Sequence, residues 1–511
     1  MNKSSIFWLL FFCSGIGIAQ AQDSLSTYNR MLIQQQAEQQ FKKDYYYNPV
    51  HQLDYSNFSF SDILVGYQKS QSDLYKLQEG TGVEGIQIAA SSYKKLSNNR
   101  SIWGNVVYQK NTQKELQWNN NLDLPLLGPY VIADSTSNSM KYEAYEFMGG
   151  YAKKAQKWSL GLEASYQAHL GYKSRDPRPK SISSHMQIKG GIGYNITPDW
   201  MVSTHGLFTN YTQNTQVSFA NQTQKAALYQ LNGLGTWSRY FSGKSTGTNI
   251  ERSGYAYGFD LENKALDFVV GMTKGASKLK RFSTGISLKN ADNDAETNRL
   301  EENANTFYFL KSFAVDDDNI TVKYNYEKGE KKGIEVYYTD NEATGLEKLL
   351  EKKAYKYTDV NHQVEGLYEL NFSKSQWMIH PYWRYQKTTE VLQESASKQG
   401  FTYAYYGLNL TYTQTLTATT TLTVEPAVTY RKVNKADNQL NFETTKPAMK
   451  DWLLNDFEYL STDYVYWGAT LKYALEKVKK APMFVAIAYH QMDFKTNKQN
   501  NYVSVTLGVT F

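Results

Sequence analysis

The feature that most constrains this chain is an apolar/polar alternation of period two that returns along most of its length. In Trp158–Leu170 the even positions are Trp158, Leu160, Leu162, Ala164, Tyr166, Ala168 and Leu170; the odd ones are Ser159, Gly161, Glu163, Ser165, Gln167 and His169. Met186, Ile188, Ile192, Tyr194 and Ile196 oppose His185, Gln187, Lys189 and Asn195. Trp377, Ile379, Pro381, Trp383 and Tyr385 oppose Met378, His380, Tyr382, Arg384 and Gln386. Leu422, Val424, Val428 and Tyr430 oppose Thr421, Thr423, Glu425, Thr429 and Arg431, and Val465, Trp467, Leu471 and Tyr473 oppose Gly468, Thr470 and Lys472. Successive side chains of a strand point to opposite faces, so each segment is a strand with one apolar and one polar side.

Beyond the first residues no run of 18 apolar residues occurs, which removes membrane-spanning helices. The chain is nevertheless rich in aromatics, with Tyr 42, Phe 23 and Trp 10 among 511 residues. A bilayer leaves one other spanning solution, a closed barrel, because each backbone N–H and C=O must be paired without water. Such strands are apolar toward lipid and polar toward the lumen, with aromatics near the interfaces.

The ends agree. MNKSSIFWLLFFCSGIGIAQAQ places Lys3 before an apolar run, with Ala19-Gln20-Ala21 as a small-x-small cleavage site. That is the layout of a secretory signal peptide over residues 1–21, and the run is too short to span a bilayer. Cys13 invites a lipoprotein reading, but Phe11-Phe12 stand where small residues are expected. As the only cysteine, it leaves a chain without disulfides or thiolate metal sites once removed. At the other end YVSVTLGVTF sets Val503, Val505, Leu507, Val509 and Phe511 on one face. A soluble sandwich can also end this way, yet the terminal aromatic resembles the signal read by the outer-membrane barrel-assembly machinery, which makes that machinery an expected partner through Phe511. The 55 basic and 49 acidic side chains give a net charge of +6, too mild to argue for nucleic acid.

The fold class expected is therefore all-β: a transmembrane antiparallel up-and-down β-barrel of the cell outer membrane. Strand starts fall near 55, 82, 100, 140, 157, 182, 200, 252, 265, 305, 319, 359, 376, 401, 419, 461, 482 and 501. That is about 18 strands, with 14 or 16 also open because residues 225–358 are weakly patterned. Short turns such as Ser97-Asn98-Asn99 and Thr197-Pro198-Asp199 alternate with long polar stretches at Asn111–Met140, Gln213–Ser253, Lys289–Asn303, Thr339–Lys356 and Asn434–Leu460. Outer-membrane barrels place the short turns in the periplasm and the long loops outside. Residues 22–54 form a separate N-terminal segment, in the lumen or below it, with Ser24–Lys43 as an amphipathic helix. The barrel takes residues 55–511. Gly345–Lys353 and Met449–Leu460 read as further helical pieces within loops.

Several strings carry a family resemblance: Gly82–Tyr93 (GVEGIQIAASSY), Arg100–Asn105 (RSIWGN), Pro129–Asp134 (PYVIAD), Gly149–Lys153 (GGYAK) and above all Tyr172–Lys180 (YKSRDPRPK). The chain resembles a Bacteroidota outer-membrane β-barrel family that carries a domain of unknown function, from about residue 40 to the C-terminus. The resemblance implies topology and location, with no activity to carry over. Members look like companions of TonB-dependent uptake systems, so the implied partners are a TonB-dependent receptor or surface lipoprotein, beside outer-membrane lipid and lipopolysaccharide.

Two sets of residues stand out as candidates. Arg175, Asp176, Arg178 and Lys180 lie in a loop stiffened by two prolines, where the cations suit an anionic ligand or a partner. The alternative is a rigid turn in which Asp176 and Arg178 satisfy each other. Glu163, His169, His185, Lys189, Glu365, Glu369, His380, Arg384, Glu425, Arg431 and Lys472 line the lumen, as channel charges or as cross-strand packing. Glu163 and His169 share a face but lie roughly 20 Å apart, too far to hold one ion. Asp316-Asp317-Asp318-Asn319 lacks the continuation of a calcium loop. No serine stands beside a histidine in a recognisable hydrolase signature. The expectation is a non-enzymatic barrel without cofactor or metal, acting as a pore or as an accessory of a nutrient or metal uptake complex. A non-conducting structural or assembly-partner barrel is the alternative, and an outer-membrane enzyme a more distant one.

Overall fold

The computed structural model describes residues 25–34, 41–221, 223, 225–238, 240–243, 245–288, 291–316, 318–341, 345–441, 447–478 and 481–511. The expected signal peptide, residues 1–21, lies outside them. The barrel strands run Phe60–Ser72, Gly82–Ser97, Arg100–Leu116, Asn138–Ala155, Trp158–Lys173, Arg178–Asn195, Trp200–Ser218, Gly247–Asn263, Phe268–Leu288, Ala291–Val315, Asp318–Asn341, Gly345–Asn371, Ser375–Leu392, Ser397–Thr417, Thr420–Gln439, Tyr464–Val478, Ala481–Phe494 and Gln499–Thr510. Each pairs antiparallel with the next, and the first closes on the last from Asp62↔Thr510 to Ser72↔Asn500. The result is an 18-stranded sheet closed into a barrel. Closure leaves no unpaired edge.

The alternation decides which way each side chain points. Leu160 and Leu162 of one strand are 55% and 57% exposed, while Ser159 between the same neighbours is 3% exposed. Tyr255, Phe259, Met272, Ile182, Phe208, Ile487 and Leu507 continue this exposed apolar belt around the outside. So continuous a belt is far larger than a water-facing surface of a monomer carries. The inner face holds the polar partners, buried against segments that enter the lumen from both rims. The lower rim carries the short turns, Phe60 and Thr510; the upper rim carries the long connections.

Sixteen of the expected strand starts fall within five residues of an observed one, but those at 305 and 359 do not: the strands begin at Ala291 and Gly345. Of the two expected loops, residues 291–303, 339–341 and 345–356 are thus strand, with 289–290 and 342–344 outside the described residues, and Gly345–Lys353 is not helical. The strands over 268–371 rise far above the apolar belt, where both faces meet polar surroundings and the alternation fades. Charge pairing across strands replaces it, through Lys331–Glu302 at 2.6 Å, Lys356–Glu330 at 3.4 Å and Arg299–Glu351 at 3.2 Å. Glu351 faces Val336 in an antiparallel ladder that carries bulges at Gly333/Ile334 and Tyr337/Tyr338. The charge spacing of GLEKLLEKK mimics a helix, and the ladder overrides it.

The expected helix at Met449–Leu460 is present as Pro447–Ser461. The N-terminal one covers Thr27–Gln34; residues 35–40 of its expected span lie outside the described residues. The chain then makes two 3-10 turns, Tyr45–Tyr47 and Pro49–Asp54, so the barrel begins at Phe60 rather than 55.

Candidate functional site

The lumen is the candidate site, and it is stoppered at both ends by the protein's own chain. At the lower end residues 27–34 and 41–58 enter the barrel. Asn48-Pro49-Val50 lies directly on the wall where two glycines make room: a Cβ on Gly191 would stand 2.2 Å from Asn48 Oδ1, and one on Gly161 2.5 Å from the Pro49 carbonyl carbon. Asn48 caps its own short helix and donates from Nδ2 to Ser203 Oγ (2.9 Å) and Asp260 Oδ2 (2.8 Å). Asp260 also accepts from Ser203 Oγ (3.1 Å) and Tyr308 OH (2.9 Å), with His205 at 3.4 Å and His51 at 3.7 Å. His51 presents Nε2 to both Ser203 and Asp260, so the three side chains form a knot rather than a carboxylate–imidazole–hydroxyl relay in series.

A second fastening holds residues 41–44. Lys323 Nζ donates to the Phe41 carbonyl (2.9 Å) and lies 3.4 Å from Asp44 and 2.9 Å from Glu365, whose other oxygen meets His380 Nε2 at 3.0 Å. Tyr45 OH donates to Glu262 (3.0 Å), and burial first, then that carboxylate, push its hydroxyl well above the usual range. Tyr93 OH donates to the Gln52 carbonyl at 2.8 Å. Asp54 pairs with Lys264 at 3.0 Å. Small apolar contacts accompany these polar ties: Tyr28 and Met31 pack on Ala474 and Phe484, Phe41 on Leu310 and Leu367, Tyr45 on Val269, and Leu53 and Phe58 beside Tyr93 and Trp103.

The upper end is closed differently. Residues 117–137, the described residues of 219–246 and the helix Pro447–Ser461 fold into the mouth around one apolar cluster that includes Trp118, Tyr130, Leu231, Leu300, Tyr355, Met449 and Trp452. Trp452 stacks on Trp118, with ring centroids 5.3 Å apart and 14° between planes. Ile132–Ala133 pairs with Tyr229–Gln230 in a small sheet. Arg281, fully buried, donates to the Leu231 carbonyl at 2.7 Å and to side chains of Asn232, Asn298 and Thr297. Asp123 is held in a left-handed backbone conformation and meets His169 (2.9 Å), Ser183 (2.7 Å) and Tyr211 (2.9 Å). Burial would raise its carboxyl, but these three contacts bring it below the usual range.

Two of the cavities lie along one side of the barrel, one above the lower stopper and one among the loops of the mouth. The lower one, about 590 Å³, is lined by Phe41, Asp44, Lys323, Glu365, His380 and Glu425. The upper one, about 440 Å³, is lined by Tyr355, Tyr357, Phe401, Tyr403, Tyr405 and Arg431, with Trp452 over it. The strand register places Tyr382 and Arg384 between them, opposite Gly407 and Tyr405. Tyr382 lies over Gly407, where a Cβ would stand 2.2 Å from its ring, and bonds Thr429 at 2.6 Å. Arg384 Nε donates to Asn361 Oδ1 at 2.8 Å.

The inward faces of the strands hold Glu163, His169, His185, Lys189, Glu365, Glu369, His380, Arg384, Glu425 and Arg431. They do not converge. Glu163 pairs with Lys189 at 2.9 Å and accepts from Trp103 Nε1 at 2.9 Å; His185 meets Thr209 at 2.7 Å. Glu365, His380 and Glu425 share the lower cavity and Arg431 belongs to the upper one. Among the described residues no three His, Cys, Asp or Glu side chains are grouped as metal ligands. In the proline-stiffened loop Asp176 pairs with Arg178 (2.8 Å) and accepts the backbone N–H groups of Ala220 and Asn221. Arg175 is exposed, and Arg178 and Lys180 are exposed on the outward face of their strand, away from the lumen. The residues that close the lumen, Asn48, His51, Asp260 and Lys323, were not among the sequence candidates. Alternation alone puts Asp260 inward, since Tyr255, Tyr257 and Phe259 point out, but its partners lie about 200 positions earlier in an unpatterned segment.

Fold and site together define a class: an 18-stranded antiparallel barrel with an exposed apolar belt, plugged by its own N-terminal segment and capped by its own loops. Within that class the chain belongs to a family of unknown function (DUF6850), which it matches over residues 49–511. No curated protein matches it. Solved structures with a similar fold include the ferric preacinetobactin receptor BauA from Acinetobacter baumannii, at 8% identity over 89% of this chain and 80% of that one, with a TM-score of 0.38. The ferric-catecholate import receptor Fiu from E. coli K12 is similar at 7% identity, covering 89% and 82%, with a TM-score of 0.42. The siderophore receptor PiuA from Acinetobacter baumannii follows at 8% identity, 88% and 81%, with a TM-score of 0.39.

Proposed function

We propose that this protein is an outer-membrane barrel of the uptake class, closed at rest, which takes a ligand into its outer mouth and admits it when the N-terminal segment is withdrawn. The belt of exposed apolar side chains around the outside supports the location. One observation carries the gating: the lower stopper is a separate segment seated by buried polar contacts at Asn48, His51 and Lys323 and by several small apolar clusters, with no single continuous core joining it to the wall. Hydrogen bonds exchange for water at a net cost of only about 1 kcal/mol each, so the polar part of this seat yields readily when the segment is drawn out, and the apolar clusters set the remaining resistance. In this reading the protein works beside a TonB-dependent receptor or a surface lipoprotein, and it performs no catalysis. The second reading, a structural barrel that conducts nothing, draws on the apolar cluster that caps the mouth.

Planar-bilayer recording separates the two. The intact barrel should be closed, and a variant lacking residues 23–58 and carrying Trp452→Ala to loosen the cap should conduct while still showing the heat-dependent gel shift of a folded barrel. A folded but silent deletion variant would overturn the gating and favour the structural reading. Stoichiometric recovery of an uptake receptor with the tagged protein would support the partnership, and recovery of the barrel alone would remove it.

A further inference from the structure

The upper cavity has a chemistry of its own. Three adjacent strands line it, and their pairing sets Tyr357 opposite Glu390 and Glu390 opposite Gln399, with Thr388 opposite Phe401 and Gln386 opposite Tyr403 one and two rungs below. Strands two apart in a sheet are separated by about 10 Å. The inner wall is therefore a polar strip, Gln386–Thr388–Glu390, between two aromatic rails: Tyr355 and Tyr357 on one side, Phe401, Tyr403 and Tyr405 on the other. Phe401 and Tyr403 hold their rings parallel within 4°.

Two buried donors face this space without a partner. Tyr403 is 4% exposed and its hydroxyl has no hydrogen-bond partner. Arg431, also 4% exposed, gives Nη2 to the carbonyls of Tyr459 (2.8 Å) and Thr462 (2.5 Å), but its Nε is unpaired. Leaving a buried donor unsatisfied costs about 1–3 kcal/mol, so the lining is complete only with acceptors in the cavity. The guanidinium is also spread over aromatic faces, 4.2 Å from the Tyr464 ring centroid and 5.3 Å from that of Tyr403. Lys76 and Arg431 balance Glu390 and Asp456 around the wall. An apolar ligand would strand the polar strip and the two donors, and a charged one would meet no net opposite charge. A ring with apolar faces and hydroxylated edges satisfies both rails and strip.

Resting on the receptor reading above, we propose that this chamber binds a neutral oligosaccharide, stacked between the Tyr357 and Tyr403 rails and hydrogen-bonded by Tyr403, Arg431 and Gln386. A volume of about 440 Å³ is of the size of a small-ligand site.

The test uses the full chain in lipid nanodiscs against neutral gluco-, xylo- and manno-oligosaccharides, a uronate oligosaccharide and a tripeptide. Calorimetry gives affinity, and the fluorescence of Trp452 reports occupancy. At least one neutral saccharide should saturate a single site. Tyr403→Phe should weaken it about tenfold, the loss of one hydrogen bond, and Tyr357→Ala by more, while Lys180→Ala on the outer face changes nothing. No neutral saccharide bound by the folded barrel at about 10 mM would overturn the proposal, as would affinity indifferent to both tyrosine variants. Preference for the uronate or the peptide would overturn the ligand class and leave the receptor reading standing. Saccharide binding with a silent deletion variant would uphold the chamber and overturn only the gating.

Discussion

Replacing Asp260 by alanine removes the acceptor on which the lower stopper turns. The carboxylate takes hydrogen bonds from Asn48, Ser203 and Tyr308 at 2.8–3.1 Å, with two histidines within 3.7 Å. Breaking a buried charged network by removing one member costs roughly 3–5 kcal/mol. That loss does not fall on the barrel, because the strand Gly247–Asn263 keeps its full ladders with both neighbours. It falls on Tyr45–Asp54, whose open state should become more populated by about two to three and a half powers of ten. Hydrogen exchange read by mass spectrometry should show this factor at the amides of Val50–Leu53, with strand amides unchanged. Asp260→Asn, which keeps an acceptor but no charge, should fall between the two. If Asp260→Ala leaves the protection of Val50–Leu53 as in the parent protein, the network does not fasten the segment and the reasoning fails.

Two further outcomes concern the mouth. Trp452→Ala removes the ring stacked on Trp118 and should cost about 3–5 kcal/mol of cap docking, so trypsin should cut after Lys450 at least 100-fold faster in a barrel of unchanged heat stability; an unchanged rate would detach Trp452 from the docking. Asp456 accepts from the Leu77 N–H (3.0 Å) and the Trp452 indole (2.8 Å), yet burial pushes its carboxyl up to about 6. Because the folded value lies above the unfolded one of about 3.9, its contribution to docking is fully present below about pH 4 and is lost as the pH rises through about 6. Tryptophan fluorescence followed from pH 4 to 8 should report that loss, and Asp456→Asn should flatten it. A flat profile in the parent protein would refute it.

The outer face was legible in the sequence because lipid demands a strict rule there. Leu160, Leu162, Ile182 and Leu507 alternate with polar residues wherever a strand crosses the belt, and those strands were found close to their true ends. The rule lapses where both faces are wet, which is why Ala291–Val315 and Gly345–Asn371 were placed 14 residues short. The contents of the lumen follow no period at all. Asn48 and His51 mean nothing until Gly161, Gly191 and Asp260 are known to stand opposite. Asp123 looks like a loop residue until the mouth brings His169, Ser183 and Tyr211 around it. Pairings of side chains 46 to 212 positions apart depend on barrel closure, and one sequence contains no signal for them.

The tall strands explain where the mouth chamber stands. A membrane crossing needs about 9–11 residues per strand, whereas the four strands over 268–371 have 21, 25, 24 and 27. Their outward residues change from Met272, Phe309 and Val364 to Lys274, Glu301 and Lys356 on leaving the belt. At about 3.3 Å per residue, ten extra residues carry the wall some 30 Å along the strands beyond the apolar zone. The long connections from the opposite side fold against this wall: Leu231 and Trp452 join Leu279, Leu300 and Tyr355 in one cluster. The chamber lined by Tyr355 and Tyr403 is thus built between a rigid sheet and loops, above the lipid, and a ligand reaches it without entering the lumen. Passage further down meets Tyr382 and Arg384, and then the floor made by Phe41 and Asp44. On the proposed reading capture and admission are separate events, controlled by different residues, so a variant that loses one should retain the other.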